Sequence, residues 1–146
     1  MRKSGGFTLL ELIIVLAIGA VIYALILEVP TRGASTADLK AAARSLASGL
    51  RQAQIIAMAK RHDASLTLDL DAREYLVSGD REPRKLPDGV DLKLYTAESE
   101  VTSPRTGGIR FYPDGSSTGG RITVSAGKRE YLVDVDWLTG RVWIED

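Results

Sequence analysis

The sequence contains no cysteine, a single histidine, two phenylalanines and two tryptophans in 146 residues. Without cysteine the chain has neither a disulfide nor a thiol nucleophile. With His62 alone it can assemble neither a Cys-His pair nor the usual Cys and His set of a zinc site. The missing cysteine does not fix the compartment. No sign of charge is in excess either, because 19 basic and 19 acidic side chains cancel. That balance gives no support for a nucleic-acid partner. Long apolar runs are also lacking, with one exception at the amino terminus, and the rest of the chain is organised around it.

The exception runs from Leu12 to Leu27, behind Gly6-Phe7-Thr8-Leu9-Leu10-Glu11. A helix from Phe7 to Leu27 would rise about 31 Å at about 1.5 Å per residue, matching a hydrocarbon core of roughly 30 Å. Glu11 is out of place there, since an acid at mid-bilayer is disfavoured by about 2 to 3.5 kcal/mol and needs a partner. A cut between Gly6 and Phe7 would supply one: the new Phe7 amino group, on its own helix one turn away or at the terminus of a neighbouring helix. Arg2 and Lys3 precede the run and favour a cytoplasmic amino terminus, so the remainder should face the periplasm. Losing both with the leader leaves 17 basic against 19 acidic side chains.

This short basic leader, ending in Gly6 and followed by Phe7 to Glu11, resembles the type III signal of type IV pilins and type II secretion pseudopilins. The resemblance implies cleavage after Gly6 by a prepilin peptidase, methylation of the Phe7 amino group, and a role for Phe7 and Glu11 in assembly. An ordinary secretory signal also has a basic start and an apolar run, and Ala20 to Ala24 resembles part of a cleavage zone. An acid at the start of the apolar run, four residues after Phe7, does not fit that reading.

Residues 1–6 are thus expected as a leader, 7–29 as the membrane and assembly helix, 30–62 as a second part of that helix, and 63–146 as a periplasmic β-domain. Ala17, Ala20 and Ala24 narrow one flank of the first segment, as in helices that approach closely in lipid, though alanine is also common in spans generally. Pro30 predicts a break between Glu28 and Gly33. Beyond it Ser35 or Thr36 can cap a new helix, Asp38 suits its first turn, and Leu39, Ala43, Leu46, Leu50, Ala53 and Ala57 share one face. That stripe predicts a helix packed on a sheet, with Arg44 and Arg51 off it and Lys60, Arg61 and His62 near its negative end.

After His62 the period changes to two. Leu66, Leu68 and Leu70 alternate with Thr67 and Asp69, and a turn at Asp71-Ala72 leads into Glu74 to Ser78, which predicts a hairpin. Val90, Leu92 and Leu94 predict another strand, and polar Thr96 to Gly108 a loop. Four more strands are expected at 109–112, 121–125, 129–136 and 141–145, with Tyr131, Val133, Val135, Val142 and Ile144 in the core. The fold class is therefore α+β, a long amino-terminal helix and an amphipathic helix on an antiparallel, sandwich-like β-domain.

The segments Phe111-Tyr112-Pro113-Asp114-Gly115-Ser116-Ser117-Thr118-Gly119-Gly120 and Val135-Asp136-Trp137-Leu138-Thr139-Gly140-Arg141-Val142 resemble the GspH branch of minor pseudopilins and its FimT-like relatives. With the leader, the resemblance spans nearly the whole chain. It implies a single-pass inner-membrane protein, a structural subunit of the type II secretion pseudopilus that aids export of folded proteins across the outer membrane. Its partners would be major and minor pseudopilins, the prepilin peptidase and the inner-membrane assembly platform. The alternative is a minor type IV pilin of the FimT kind, and a third class is a membrane-tethered periplasmic enzyme or binding module.

Site chemistry favours assembly over catalysis, and neither cofactor nor metal is implied. Gly115 to Arg121 lacks the lysine followed by Ser or Thr that a phosphate loop needs. Asp69, Asp71 and Glu74 fail the spacing of a calcium loop. Asp136 beside Trp137 is read as a strand end.

Overall fold

The computed structural model describes residues 8–27 and 34–146. The described residues fall into two units, one holding the first helix and the other everything from Ala34. In the first, α1 (Leu9–Leu27) carries one acidic residue and no basic one. Its described side chains are exposed on every side of the helix, from Leu9 at 77 % to Ile14 at 50 %. Among the described residues no helix is long and apolar enough to cross a membrane. Alone, α1 rises about 28 Å, just under a bilayer core. The span expected over 7–29 begins and ends on residues outside that description, as does the break expected near Pro30.

In the second unit α2 (Thr36–Lys60) starts at a reciprocal cap on Ser35. The Asp38 amide donates to Ser35 Oγ at 3.1 Å and the Ser35 amide to Asp38 Oδ2 at 2.9 Å, satisfying two amide donors at a helix start. All six residues of the expected stripe are buried, joined by Ala42, Ala47 and Gly49. Arg61 ends the helix in the left-handed region at φ 53°.

The strands are β1 (Ala64–Asp69), β2 (Glu74–Val77), β3 (Arg84–Lys85), β4 (Asp91–Thr96), β5 (Val101–Ser103), β6 (Thr106–Phe111), β7 (Gly120–Ala126), β8 (Arg129–Val135) and β9 (Val142–Glu145). They form two antiparallel sheets, β3-β2-β1-β6-β5 and β4-β7-β8-β9. The period-two reading of β1 holds, with Ala64, Leu66 and Leu68 buried, although Leu70 lies just past the strand end. One core unites α2 with both sheets: Leu46 and Leu50 with Leu66, Tyr75 and Phe111 of the first and Ile122, Val124 and Val133 of the second. Of the five residues expected in the core of β8 and β9, Val133, Val135 and Val142 are buried, while Tyr131 and Ile144 pack at its margin.

One local expectation needs correction. The stretch 96–108 is not a loop: it holds the end of β4, a 3-10 turn at Glu98–Glu100, β5 and the first half of β6. Gly107 and Gly108 hide that strand, because glycine carries no strand signal. Their absent side chains are required by neighbours: a Cβ at Gly107 would lie 2.9 Å from Leu94 Cδ2, and one at Gly108 3.0 Å from the Leu66 carbonyl. Glycine inside a strand marks such a close approach. Likewise β3, two residues between Pro83 and Pro87, is too short to have a period.

Candidate functional site

The expected assembly site begins at residues 6 and 7. Gly6 and Phe7 lie outside the described residues, whereas Glu11 stands exposed in the first turn of α1. Its backbone is held by a residue that the sequence reading passed over. The Glu11 amide donates to Thr8 Oγ1 at 3.2 Å and the Leu12 amide to the Thr8 carbonyl at 3.2 Å, so Thr8 caps α1. Thr-Leu-Leu-Glu is itself a Ser/Thr-x-x-Glu capping pattern, which would have revealed the cap. The cap fixes Glu11 at the third helical position, beside the positive end of the helix dipole. Around it, Leu9, Leu10, Leu12 and Ile13 are all more than half exposed. A helix apolar all round has no stable aqueous surface of its own and needs lipid or other helices about it.

The two carboxyl-terminal segments close around a pair of turns. After buried Phe111, the Gly115 amide donates to the Tyr112 carbonyl at 2.9 Å and the Tyr112 amide to the Ser116 carbonyl at 2.9 Å. Asp114 Oδ1 accepts from the Ser116 hydroxyl at 2.6 Å and amide at 2.9 Å. In the second turn, Asp136 Oδ1 accepts from the Thr139 amide at 2.7 Å, the Thr139 hydroxyl at 2.8 Å and the Leu138 amide at 3.1 Å. The hydrogen bond from the Thr139 amide, followed by that from its hydroxyl, holds the Asp136 carboxyl below the usual range; the Ser116 hydroxyl does the same for Asp114. Gln54 of α2 clips both turns, its amide Nε2 donating to the Gly115 carbonyl at 2.9 Å and the Thr139 carbonyl at 3.2 Å. Gly140, at φ 63°, leaves the space that this amide fills. These acids are turn acceptors, consistent with the strand-end reading of Asp136.

The other candidates are equally occupied. Asp69 Oδ1 accepts from the Asp71 and Ala72 amides, each at 2.9 Å, and Asp71 is ion-paired to Arg105 at 2.6 Å. His62 donates from Nδ1 to the Asp63 carbonyl at 2.8 Å, beyond the end of α2. Gly115-Ser116-Ser117-Thr118-Gly119 has the letters of a serine nucleophile elbow but not its setting, an exposed serine between strand and helix. Ser117 is buried, its Oγ accepts from the Gly119 amide at 3.0 Å, and β7 rather than a helix follows.

The geometry is matched by known proteins. Residues 42–139 match the family described as type II transport protein GspH. Residues 1–27 match the prokaryotic N-terminal methylation motif. Type II secretion system protein H of Xanthomonas campestris pv. campestris is 30 % identical over 141 residues, covering 97 % of this chain and 83 % of that protein. Among solved structures, the minor pseudopilin EpsH of the Vibrio cholerae type 2 secretion system superimposes with a TM-score of 0.56 at 16 % identity, over 74 % of this chain and 96 % of that one. The type IV minor pilin FimU of Pseudomonas aeruginosa gives 0.53 at 18 % identity, over 74 % and 93 %. The fold is thus pilin-like, and the chain belongs to the GspH family of type II transport proteins.

Proposed function

We propose that this protein is a minor pseudopilin, a structural subunit of the type II secretion pseudopilus that works by assembly and carries out no chemistry of its own. The observation that carries the reading is α1: a capped helix with one acid in its first turn and apolar side chains on every side. In this reading prepilin peptidase cuts after Gly6 and the Phe7 amino group is methylated. Residues 7–29 cross the inner membrane once, residues 30–62 continue the helix, and the β-domain over 63–146 faces the periplasm. Glu11 meets the Phe7 ammonium of a neighbouring pseudopilin, a pairing favoured where water is scarce. Other major and minor pseudopilins and the inner-membrane assembly platform complete the set of partners, and the growing fibre helps drive folded proteins through the outer membrane.

The near-equal likeness to FimU supports one second reading, a minor subunit of a type IV pilus. A clean deletion separates them. Loss of exoprotein from the culture medium with surface pili unchanged, restored by the wild-type chain, is expected. Normal secretion with loss of pili would establish the pilus reading instead.

A further inference from the structure

The two sheets end in four edge strands, β3 and β5 on one, β4 and β9 on the other. An open edge recruits another strand unless it is short, charged, bulged or covered. Three of these edges are protected. The whole of β3 is Arg84 and Lys85. The pairing of β5 with β6 slips between Val101 and Ser103, and Pro104 follows. On β9 the Arg51 guanidinium takes the Val142 carbonyl at 3.1 Å.

The guards on β4 are slighter: Asp91 and Lys93 are of opposite sign, and Arg73 Nε donates to the carbonyl of Val90, just before the strand, at 3.1 Å. The strand runs unbroken through six residues in register with β7, without proline or glycine. Among the described residues, no loop or turn backbone bonds to residues 91–95 on its open side. Beside the strand lies a groove of about 470 Å³ lined by Leu70, Asp71, Arg73, Leu92 and Arg105 among others. Leu92 and Leu94 are half-buried beside the core, while Asp91, Lys93 and Tyr95 are exposed on the other face.

We propose that this edge pairs antiparallel with β4 of a second copy, about a two-fold axis through Leu92. The sequence of the strand selects both occupant and register. Directly opposed residues in an antiparallel pair share a face, so a symmetric pairing must centre on a residue. Centred on Lys93, it would set lysine against lysine, which is unfavourable. Centred on Leu94, it would set Lys93 against Tyr95 and leave Asp91 beyond the paired strand. Centred on Leu92, it sets Asp91 against Lys93 of the second copy and Lys93 against its Asp91. Leu92 then meets Leu92 on the inner face. Two opposite-charge pairs and one leucine contact thus arise from one short strand, and two four-stranded sheets become one continuous sheet. A single edge contact buries on the order of 1,000 Å² or less, the range of transient association, so the pairing is reversible. It goes beyond the proposed function, being a homotypic contact of the exported domain that does not involve α1.

The absence of native cysteine makes the test direct. In the full-length protein in detergent, Leu92→Cys is expected to oxidise to a disulfide dimer. Opposed Cα atoms lie about 4.5 to 5.5 Å apart, within the roughly 4.4 to 6.8 Å that a disulfide spans. Leu94→Cys is expected to remain monomeric. Asp91→Cys mixed with Lys93→Cys, both at exposed positions that do not threaten folding, is expected to give mainly mixed dimers. By sedimentation equilibrium, Asp91→Lys should weaken association about tenfold, and Asp91→Lys with Lys93→Asp should restore it. Crosslinking strongest at Leu94→Cys, failure of the double exchange to restore association, or a wild-type protein monomeric at every concentration would each overturn the proposal.

Discussion

Two exposed acids of this protein, Asp114 and Asp136, act through the hydrogen bonds that they accept. Asp136 collects three donors from Leu138 and Thr139, and Asp114 two from Ser116, which holds both carboxyls below their ordinary range in the fold. A carboxyl with a lowered folded pKa contributes stability that is full above its unfolded value, near 3.8, and is lost as pH falls through the folded value. The melting temperature should therefore stay level from neutral pH down to about 5 and drop below about 4. Asp136→Asn, which keeps an acceptor oxygen but cannot titrate, should shrink that acid-induced drop. Thermal melts from pH 7 to pH 3 check this, and an unchanged drop would show that the turn bonds do not favour the charged form. Glu11 differs in kind, because the cap on Thr8 fixes its place on α1 while its carboxyl stays exposed for a partner.

At the scale of elements, α2 is the part on which both sheets depend. Leu46 is wholly buried in the core, so Leu46→Ala should cost about 2 to 5 kcal/mol. Gly49 lets the helix come close to the first sheet: a Cβ there would lie 2.7 Å from the Tyr75 ring and 2.9 Å from Leu66 Cδ1. Gly49→Ala, a change that favours an isolated helix, should instead destabilise by about 1 to 3 kcal/mol. Denaturant melts of both variants decide it, and a stabilised Gly49→Ala would contradict this contact. The stripe of α2 was legible because a helix with one buried face repeats its apolar residues at a 3.6-residue period, and β1 because a strand alternates. Gly107 and Gly108 in β6 were not legible, since what requires glycine there is Leu94 and Leu66 arriving from elsewhere in the chain. Neither was the Gln54 clip, which joins carbonyls 61 and 85 residues away and leaves no local pattern. Of the assembly site, Glu11 was legible as an acid out of place, whereas Thr8 went unread although its capping pattern was present.

The whole molecule joins a helix with apolar side chains on every side to a domain in which Asp114, Asp136 and Ser117 are already engaged in its own turns. Such a chain does its work where the helix finds neighbours. In lipid an unpaired carboxylate is unfavourable, so on the proposed function attraction to a neighbour's Phe7 ammonium would be directional and satisfied only at one axial offset between subunits. We propose that the acid marks register during fibre growth, so that its removal should spare insertion and processing while weakening incorporation. The most direct measurement is crosslinking of this chain to the other pseudopilins, compared between wild type and Glu11→Ala at equal membrane levels. A partial loss of crosslinks, with cleavage after Gly6 unchanged by mass spectrometry, is the predicted result. Crosslinks as abundant in Glu11→Ala as in wild type would contradict it.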